Sequence, residues 1–230
     1  MRRFFIEQFD VNGPTAIIKG SDSNHIKNVL RLRPGDKIGL FDGTGYEYES
    51  CITAFSPGKV ELRVLKKFPS TTESPLHLTV AQAFLKDKKM DGLVRQVTEL
   101  GITEWLPFMA KRSVPKPDAK RLTTRTQRWK KIAKEALKQC KRGRIPQIGP
   151  ALSFEKILKL KEGYDLSIVF WENESSPITS FKRSNRNPPQ KILIVLGPEG
   201  GFSLEEIKKA KSSGFVTVSL GPRILRAETA

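Results

Sequence analysis

The pattern of apolar residues changes near residue 70, and that change limits what the chain can fold into. Before it lie short β-type runs, FFIEQF, TAIIKG, KIGLFDG, YESCITAF and KVELRVLKKF, separated by Gly and Pro, with one short helical stretch from His25 to Leu30. Such runs predict a small barrel or sandwich. FPSTTESP, Phe68 to Pro75, has the polar, proline-bounded character of a linker between domains. Beyond it, strand-length runs alternate with helical stretches. LHLTVAQAF is followed by a helix from Lys89 to Leu100 with Gly101 as its stop, then by ITEWLPF and a long helix from Thr124 to Cys140. A helix from Phe154 to Leu160 comes next, then DLSIVFW, ILIVL, a helix to Ser213 with Gly214 after it, and FVTVSLG. Alternation of this kind predicts a mostly parallel sheet covered by helices. The expectation is an α/β chain with a β domain over 1–70 and an α/β domain over 75–230.

Charge narrows the function classes. Forty-one Lys and Arg against 24 Asp and Glu leave a formal +17 over 230 residues, which points to a polyanionic partner. Apolar runs such as Ile192 to Leu196 fall far short of the ~20 residues that span a bilayer, and MRRFFIEQFD has no apolar core of a secretory signal. Two cysteines, Cys51 and Cys140, and two histidines, His25 and His77, have no metal-binding spacing. These features predict a soluble cytoplasmic protein with no metal and no membrane association.

The glycines of the second half fall late. A dinucleotide-type fold carries its glycine fingerprint after the first strand, but here that strand runs into Leu85-Lys-Asp-Lys-Lys-Met with no glycine before Gly92. Ligand-type turns instead follow three later strands: Trp171-Glu-Asn-Glu-Ser-Ser, Gly197-Pro-Glu-Gly-Gly and Gly221-Pro-Arg-Ile-Leu-Arg. In an open α/β sheet, such turns lie at the carboxyl ends of the strands, where ligands are usually held. The middle turn opens a helix with the S-x-x-E capping box of Ser203 and Glu206, the layout that gathers anions. Yet it carries Glu199 and no Lys before the helix, which is the wrong charge for a phosphate. Two readings stand for the glycines: bare backbone for a ligand, or close packing of helix on strand. Two also stand for Glu199: a ligand contact, or a carboxylate favoured by the helix dipole.

Between Lys120 and Arg144 eleven basic residues face one acidic residue, Glu135, while Trp129, Ile132, Ala133, Ala136, Leu137 and Cys140 recur at helical spacing. One face is core, and the other is expected to carry Lys130, Lys134, Lys138 and Lys141 outward, with Arg142 and Arg144 beyond the helix, as a phosphate-contacting rail. The alternative is a solvated helix, which would normally mix its signs. Cys140 lies on the apolar stripe and reads as a core residue rather than a nucleophile.

RLRPGD (Arg31 to Asp36), TELGI (Thr98 to Ile102), KRS (Lys111 to Ser113), EALKQCKRGRIP (Glu135 to Pro146), LGPEGGFSLEE and SLGPRILRAETA (Ser219 to Ala230) together resemble the ribosomal RNA small subunit methyltransferase E family. The resemblance covers both domains in order. It implies an N-terminal PUA-like β-barrel over 1–70 and an α/β SPOUT domain over 75–230 whose C-terminal segment threads a trefoil knot. The family's C-terminal helix would lie beyond Ala230. It further implies a homodimer that methylates N-3 of a uridine in 16S ribosomal RNA of the small subunit, free or assembled, with S-adenosyl-L-methionine as donor.

By the same match Phe170, Trp171, Glu172, Leu196, Gly197, Glu199, Gly200, Gly201, Leu220, Gly221, Ile224, Leu225 and Arg226 line the cofactor. That ligand has a sulfonium and an ammonium but no phosphate, so a glycine turn with a carboxylate suits it. Arg226 and Glu228 become the candidates for stabilising a uracil anion and for handling its proton, although a structural Arg–Glu pair remains an equal reading. Arg112 and Arg142 are candidates to orient the target nucleotide. Arg31, Arg33, Lys134, Lys138, Lys141 and Arg144 complete the expected RNA contacts. Two other functions remain open at this level: a related methyltransferase acting on another RNA position, and a non-catalytic ribosome-associated binder, for which late glycine turns have no use.

Overall fold

A computed structural model describes residues 2–86, 89–178 and 188–230. The chain forms two compact units, one made of Met1–Glu73 with Lys134–Ile145, the other of Ser74–Ala133 with Pro146–Ala230.

In the first unit, β1 (Arg3–Phe5), β2 (Val11–Asn12), β3 (Thr15–Lys19), β4 (Lys37–Phe41), β5 (Tyr46–Ser56) and β6 (Lys59–Pro69) form one sheet in the order β1-β4-β5-β6-β3-β2. Only β1 and β4 pair in parallel; the other neighbours are antiparallel. Every second residue faces inward, so Ile18, Ile38, Leu40, Ile52, Val60 and Leu62 meet in one apolar cluster. The short helix α1 (Ser21–Asn24) begins one turn before the expected stretch and runs on into a wider turn, His25–Val29, that buries Ile26. Residues 134–145 return to this unit, where Leu137 packs on Phe5 and Phe41.

The second unit holds a sheet whose described pairs are all parallel. Its strands are β7 (His77–Ala83), β8 (Glu104–Met109), β9 (Gln147–Ile148), β10 (Leu152–Ser153), β11 (Leu166–Phe170), β12 (Lys191–Leu196) and β13 (Val216–Val218). The order is β10-β8-β7-β12-β11-β13, with β9 also on β8. Helices α2 (Lys89–Glu99), α3 (Ala119–Cys140), α4 (Phe154–Lys159) and α5 (Leu204–Ser212) follow strands in turn. Along β12, Leu193 and Val195 join the cluster under α4 and α5, while Ile194 and Leu196 pack toward α2 and α3. Both faces are therefore covered, which is why ILIVL is an unbroken apolar run. The α3 helix starts at Ala119, a turn earlier than its apolar pattern, because the Asp118 carboxylate accepts the Arg121 N–H at 2.8 Å and caps it. Among the described residues no helix is long and apolar enough to cross a membrane.

Candidate active site

The sheet order explains where the late turns go. β12, β11 and β13 are adjacent and parallel, so the turns after them emerge at the same edge. On the far side of β12 lies β7, with Leu196 in register with Gln82. The buried Gln82 amide donates to the Gly197 carbonyl at 3.1 Å, and the Lys86 N–H donates to Glu199 Oε1 at 3.0 Å. Thus β7, where the sequence shows no glycine, holds the glycine turn from beside.

Residues 197–201 form a bare ledge. A Cβ on Gly197 would press on the Phe202 ring, and Gly201 has φ +64 with the Glu172 carboxylate where its Cβ would be. Gly201 requires glycine for its backbone conformation, whereas at Gly197 a side chain would force the Phe202 ring to yield. The capping box behind the ledge forms in full: Ser203 Oγ accepts from Glu206 N–H at 3.3 Å, and Glu206 Oε2 accepts from Ser203 N–H at 2.9 Å. Glu206 Oε1 also accepts the Lys111 N–H at 2.8 Å, so the KRS turn backs the same helix start.

The three turns and the start of α2 enclose a cavity of about 580 Å³, within the range of small-molecule pockets. All thirteen residues expected to line a cofactor, Arg226 among them, lie on its wall, as does Glu228. Phe170, Leu196, Leu220, Ile224 and Leu225 make the wall largely apolar, while Glu172, Glu199 and Glu228 supply carboxylates. Apolar surface with bare backbone suits an adenosyl group, and carboxylates suit a cation. Lys89, Arg223 and Arg226 on the same wall balance the three carboxylates, which suits a ligand that carries charges of both signs.

Of the lining residues that the sequence did not point to, one carries charge. Lys89, the first residue of α2, places its ammonium 3.3 Å from Glu199 Oε1 and 3.2 Å from Glu228 Oε2. Of the two readings open for Arg226 and Glu228, the structural pair is not among the described ion pairs, where Glu228 pairs with Lys89. Burial works against the Glu199 charge, but its own and the Lys86 N–H, together with Lys89, hold the carboxyl below its ordinary range. Glu228 is likewise held low, chiefly by its own N–H and then by Lys89 against some burial. The two carboxylates raise Lys89 in return, Glu228 most. All three groups are therefore charged at neutral pH.

The turn after β11 is tied to β13 by Glu174, which accepts from the Thr217 hydroxyl and, at 3.0 Å, from Lys211. These contacts, Thr217 foremost, lower its pKa from 4.5 to about 2. A carboxyl lowered on folding stabilises the fold above its unfolded value, and that contribution is lost as pH falls from about 4.5 toward 2. Glu174→Gln should therefore flatten the acid side of a urea-midpoint profile over that interval while leaving its shape above pH 6 alike. A parallel loss in wild type and variant would show that the contact contributes nothing on folding.

The expected basic rail needs correction. Lys134 pairs with Glu7 at 2.5 Å and covers the Phe5 ring at 3.8 Å, and Lys138 pairs with Asp22 at 3.4 Å. Both are half-buried rather than outward. Arg142 is 4% exposed and bonds Glu73 at 2.9 Å, so it does not face RNA. Arg112 is exposed but spends its guanidinium on the Gly200 carbonyl at 2.9 Å, supporting the ledge. Exposed positions remain at Arg31, Arg33, Lys130, Lys131, Lys141 and Arg144. Among the described residues no His, Cys, Asp and Glu cluster could hold a metal ion.

Comparison with known proteins gives the class first. The family model for an RNA methyltransferase domain matches residues 72–230, and that for an RNA methyltransferase PUA domain matches 18–65. Ribosomal RNA small subunit methyltransferase E of Bacillus subtilis is 35% identical over all of this chain and 93% of its own length. The crystal structure of the Neisseria gonorrhoeae ribosomal RNA small subunit methyltransferase E bound to S-adenosylmethionine is 30% identical, with a TM-score of 0.81 over 100% of this chain and 93% of that one. A Legionella pneumophila methyltransferase solved with the same cofactor is 28% identical, with a TM-score of 0.82 over 99% and 92%. The chain belongs to the ribosomal RNA small subunit methyltransferase E family.

Proposed function

We propose that this chain methylates N-3 of a uridine in 16S ribosomal RNA, with S-adenosylmethionine held in the cavity of the second unit. The observation that carries the reading is a cavity at the ends of three adjacent parallel strands whose glycine ledge is faced by carboxylates and apolar side chains. When bound, the cofactor supplies a methyl group on a sulfonium, which leaves as a neutral thioether. The ledge backbone would read adenine and ribose, Phe170 and Leu196 would flank the purine, and Glu172 or Glu199 would offset positive charge. Arg226 is exposed on the wall and would face the uracil carbonyls that take up charge as N-3 loses its proton. Glu228, held below the ordinary carboxylate range, is too weak a base to keep that proton, so its role is to orient the imide N–H while the proton passes to solvent. Neither cysteine lines the cavity, in keeping with transfer to nitrogen without the covalent route used for ring carbon.

The same reading includes the family's homodimer, PUA-like barrel, trefoil knot and cytoplasmic setting. Its test is to incubate small subunits and free 16S RNA with labelled donor and identify the nucleoside by mass spectrometry. 3-Methyluridine is expected, whereas methylation of ribose or ring carbon would overturn the assignment.

RNA contact is proposed at the exposed cations. Replacing Lys130 and Lys131 together by Gln should make the salt dependence of RNA binding shallower by about one to two in log–log slope. An unchanged slope in a filter-binding titration would move the contact elsewhere.

A further inference from the structure

Among the described residues, few contacts hold residues 222–230. Thr229 and Ala230 N–H groups both donate to the Arg226 carbonyl, a local turn, and residues 222–226 are exposed. Ala227 packs on the apolar cluster beside α2. The remaining attachment is polar: Glu228 Oε2, which water does not reach, has the Lys89 ammonium at 3.2 Å. That ammonium also meets Glu199 Oε1 at 3.3 Å, and the Lys86 N–H holds the same oxygen from behind. One cation therefore joins three pieces that are distant in sequence: the start of α2, the ledge and the C-terminal segment. Without it, two carboxylates on one cavity wall would lose the cation they share, leaving Glu228 its own N–H and the charge of Arg226, and Glu199 its backbone N–H partners. A compact ammonium with rotatable donors can serve both carboxylates, whereas the wider guanidinium fork would displace one of them.

We propose that Lys89 is a positioning residue, fastening the C-terminal segment to the glycine ledge through Glu228 and Glu199 and so setting the wall that carries Arg226. This rests on the methyltransferase reading only for its consequence in catalysis, since the clamp is a property of the chain alone.

The test begins without ligand. Trypsin cleaves after Arg223 and Arg226, both exposed, and the rate at each bond is followed by mass spectrometry with cleavage after Arg121 in α3 as the reference. Lys89→Met should speed cleavage after Arg226 on the order of tenfold relative to Arg121, because that bond is cut through local opening of the segment. Lys89→Arg should recover part of the protection. In calorimetry with S-adenosylhomocysteine, Lys89→Met should weaken binding by roughly the same factor. Glu228→Gln, which leaves α2 untouched, must loosen the same bond and serves if Lys89→Met does not fold. Unchanged cleavage after Arg226 in Glu228→Gln, or in a folded Lys89→Met, overturns the proposal. So does a Lys89→Arg variant as loose as Lys89→Met. Faster cleavage in a protein whose wild type methylates no RNA would leave the clamp standing and sink the functional reading instead.

Discussion

Trp129→Ala is expected to cost the second unit about 3–5 kcal/mol, the usual range for deleting a large aromatic from a packed core. Trp129 is 1% exposed, meets Trp105 edge-on with ring centroids 4.8 Å apart, and lies 6.3 Å from the Phe84 ring. The small neighbour Ala133 cannot fill the space left behind. Its indole N–H also donates to Asp91 Oδ1 at 3.0 Å, a group on α2 two residues beyond Lys89. Trp129→Phe keeps most of the apolar contact but leaves Asp91 to Arg128, which pairs with it at 2.6 Å, so about 1–2 kcal/mol should be lost there. Urea unfolding of the intact chain followed by far-ultraviolet dichroism checks both, with the midpoint read at constant slope. Equal losses for Phe and Ala would mean that the hydrogen bond, not the ring, holds α2. A loss under ~1 kcal/mol for Ala would show that the cluster around Trp105 closes over the gap.

That buried tryptophan was legible in advance, as were the strands. Apolar residues at periods of two and 3.6 state which side chains share a face, and the faces of β12 and α3 follow that rule. The capping box of Ser203 and Glu206 was equally legible, because both partners lie within one helical turn. The wall of the cavity was reached through motif resemblance, for strand order cannot be read from a run of five apolar residues.

The misread cations fail for one physical reason. Helical spacing shows that Lys134 and Lys138 share a side of α3, but the carboxylates that claim them, Glu7 and Asp22, belong to a part of the chain more than a hundred positions earlier. Arg142 and Glu73 are a pair of the same kind. Lys89 was passed over because lysines after a strand look like solvated charge, and only the pairing of β7 with β12 brings Glu199 to Lys86 and Lys89. Nothing local marks the return of residues 134–145 to the first unit either, since α3 is one unbroken helix by pattern.

Arg226→Ala should lower the chemical step on the order of a hundredfold while leaving affinity for S-adenosylhomocysteine within a few-fold, as when one donor to a developing anion is removed. The backbone at Arg226 is already used, its carbonyl accepting from Thr229 and Ala230, and alanine preserves that turn. Its side chain is exposed on the cavity wall and takes part in no ion pair among the described residues, although its charge helps keep Glu228 ionised. Lys89 still pairs with Glu228 after truncation, so the expected loss falls chiefly on charge appearing on uracil. What titrates is N-3 of the substrate: as pH rises, solvent removes a growing share of its protons, and the barrier that Arg226 lowers shrinks for both proteins. The variant begins with more to regain, so its rate should climb more steeply with pH and the gap to wild type should narrow toward the alkaline end. Single-turnover methylation across pH, with calorimetry for the cofactor product, separates the two terms. A variant with full rate removes Arg226 from the mechanism. A constant gap at every pH would assign it to holding the RNA rather than stabilising the anion, and a loss of S-adenosylhomocysteine binding equal to the loss in rate would make it a residue of the cofactor wall alone.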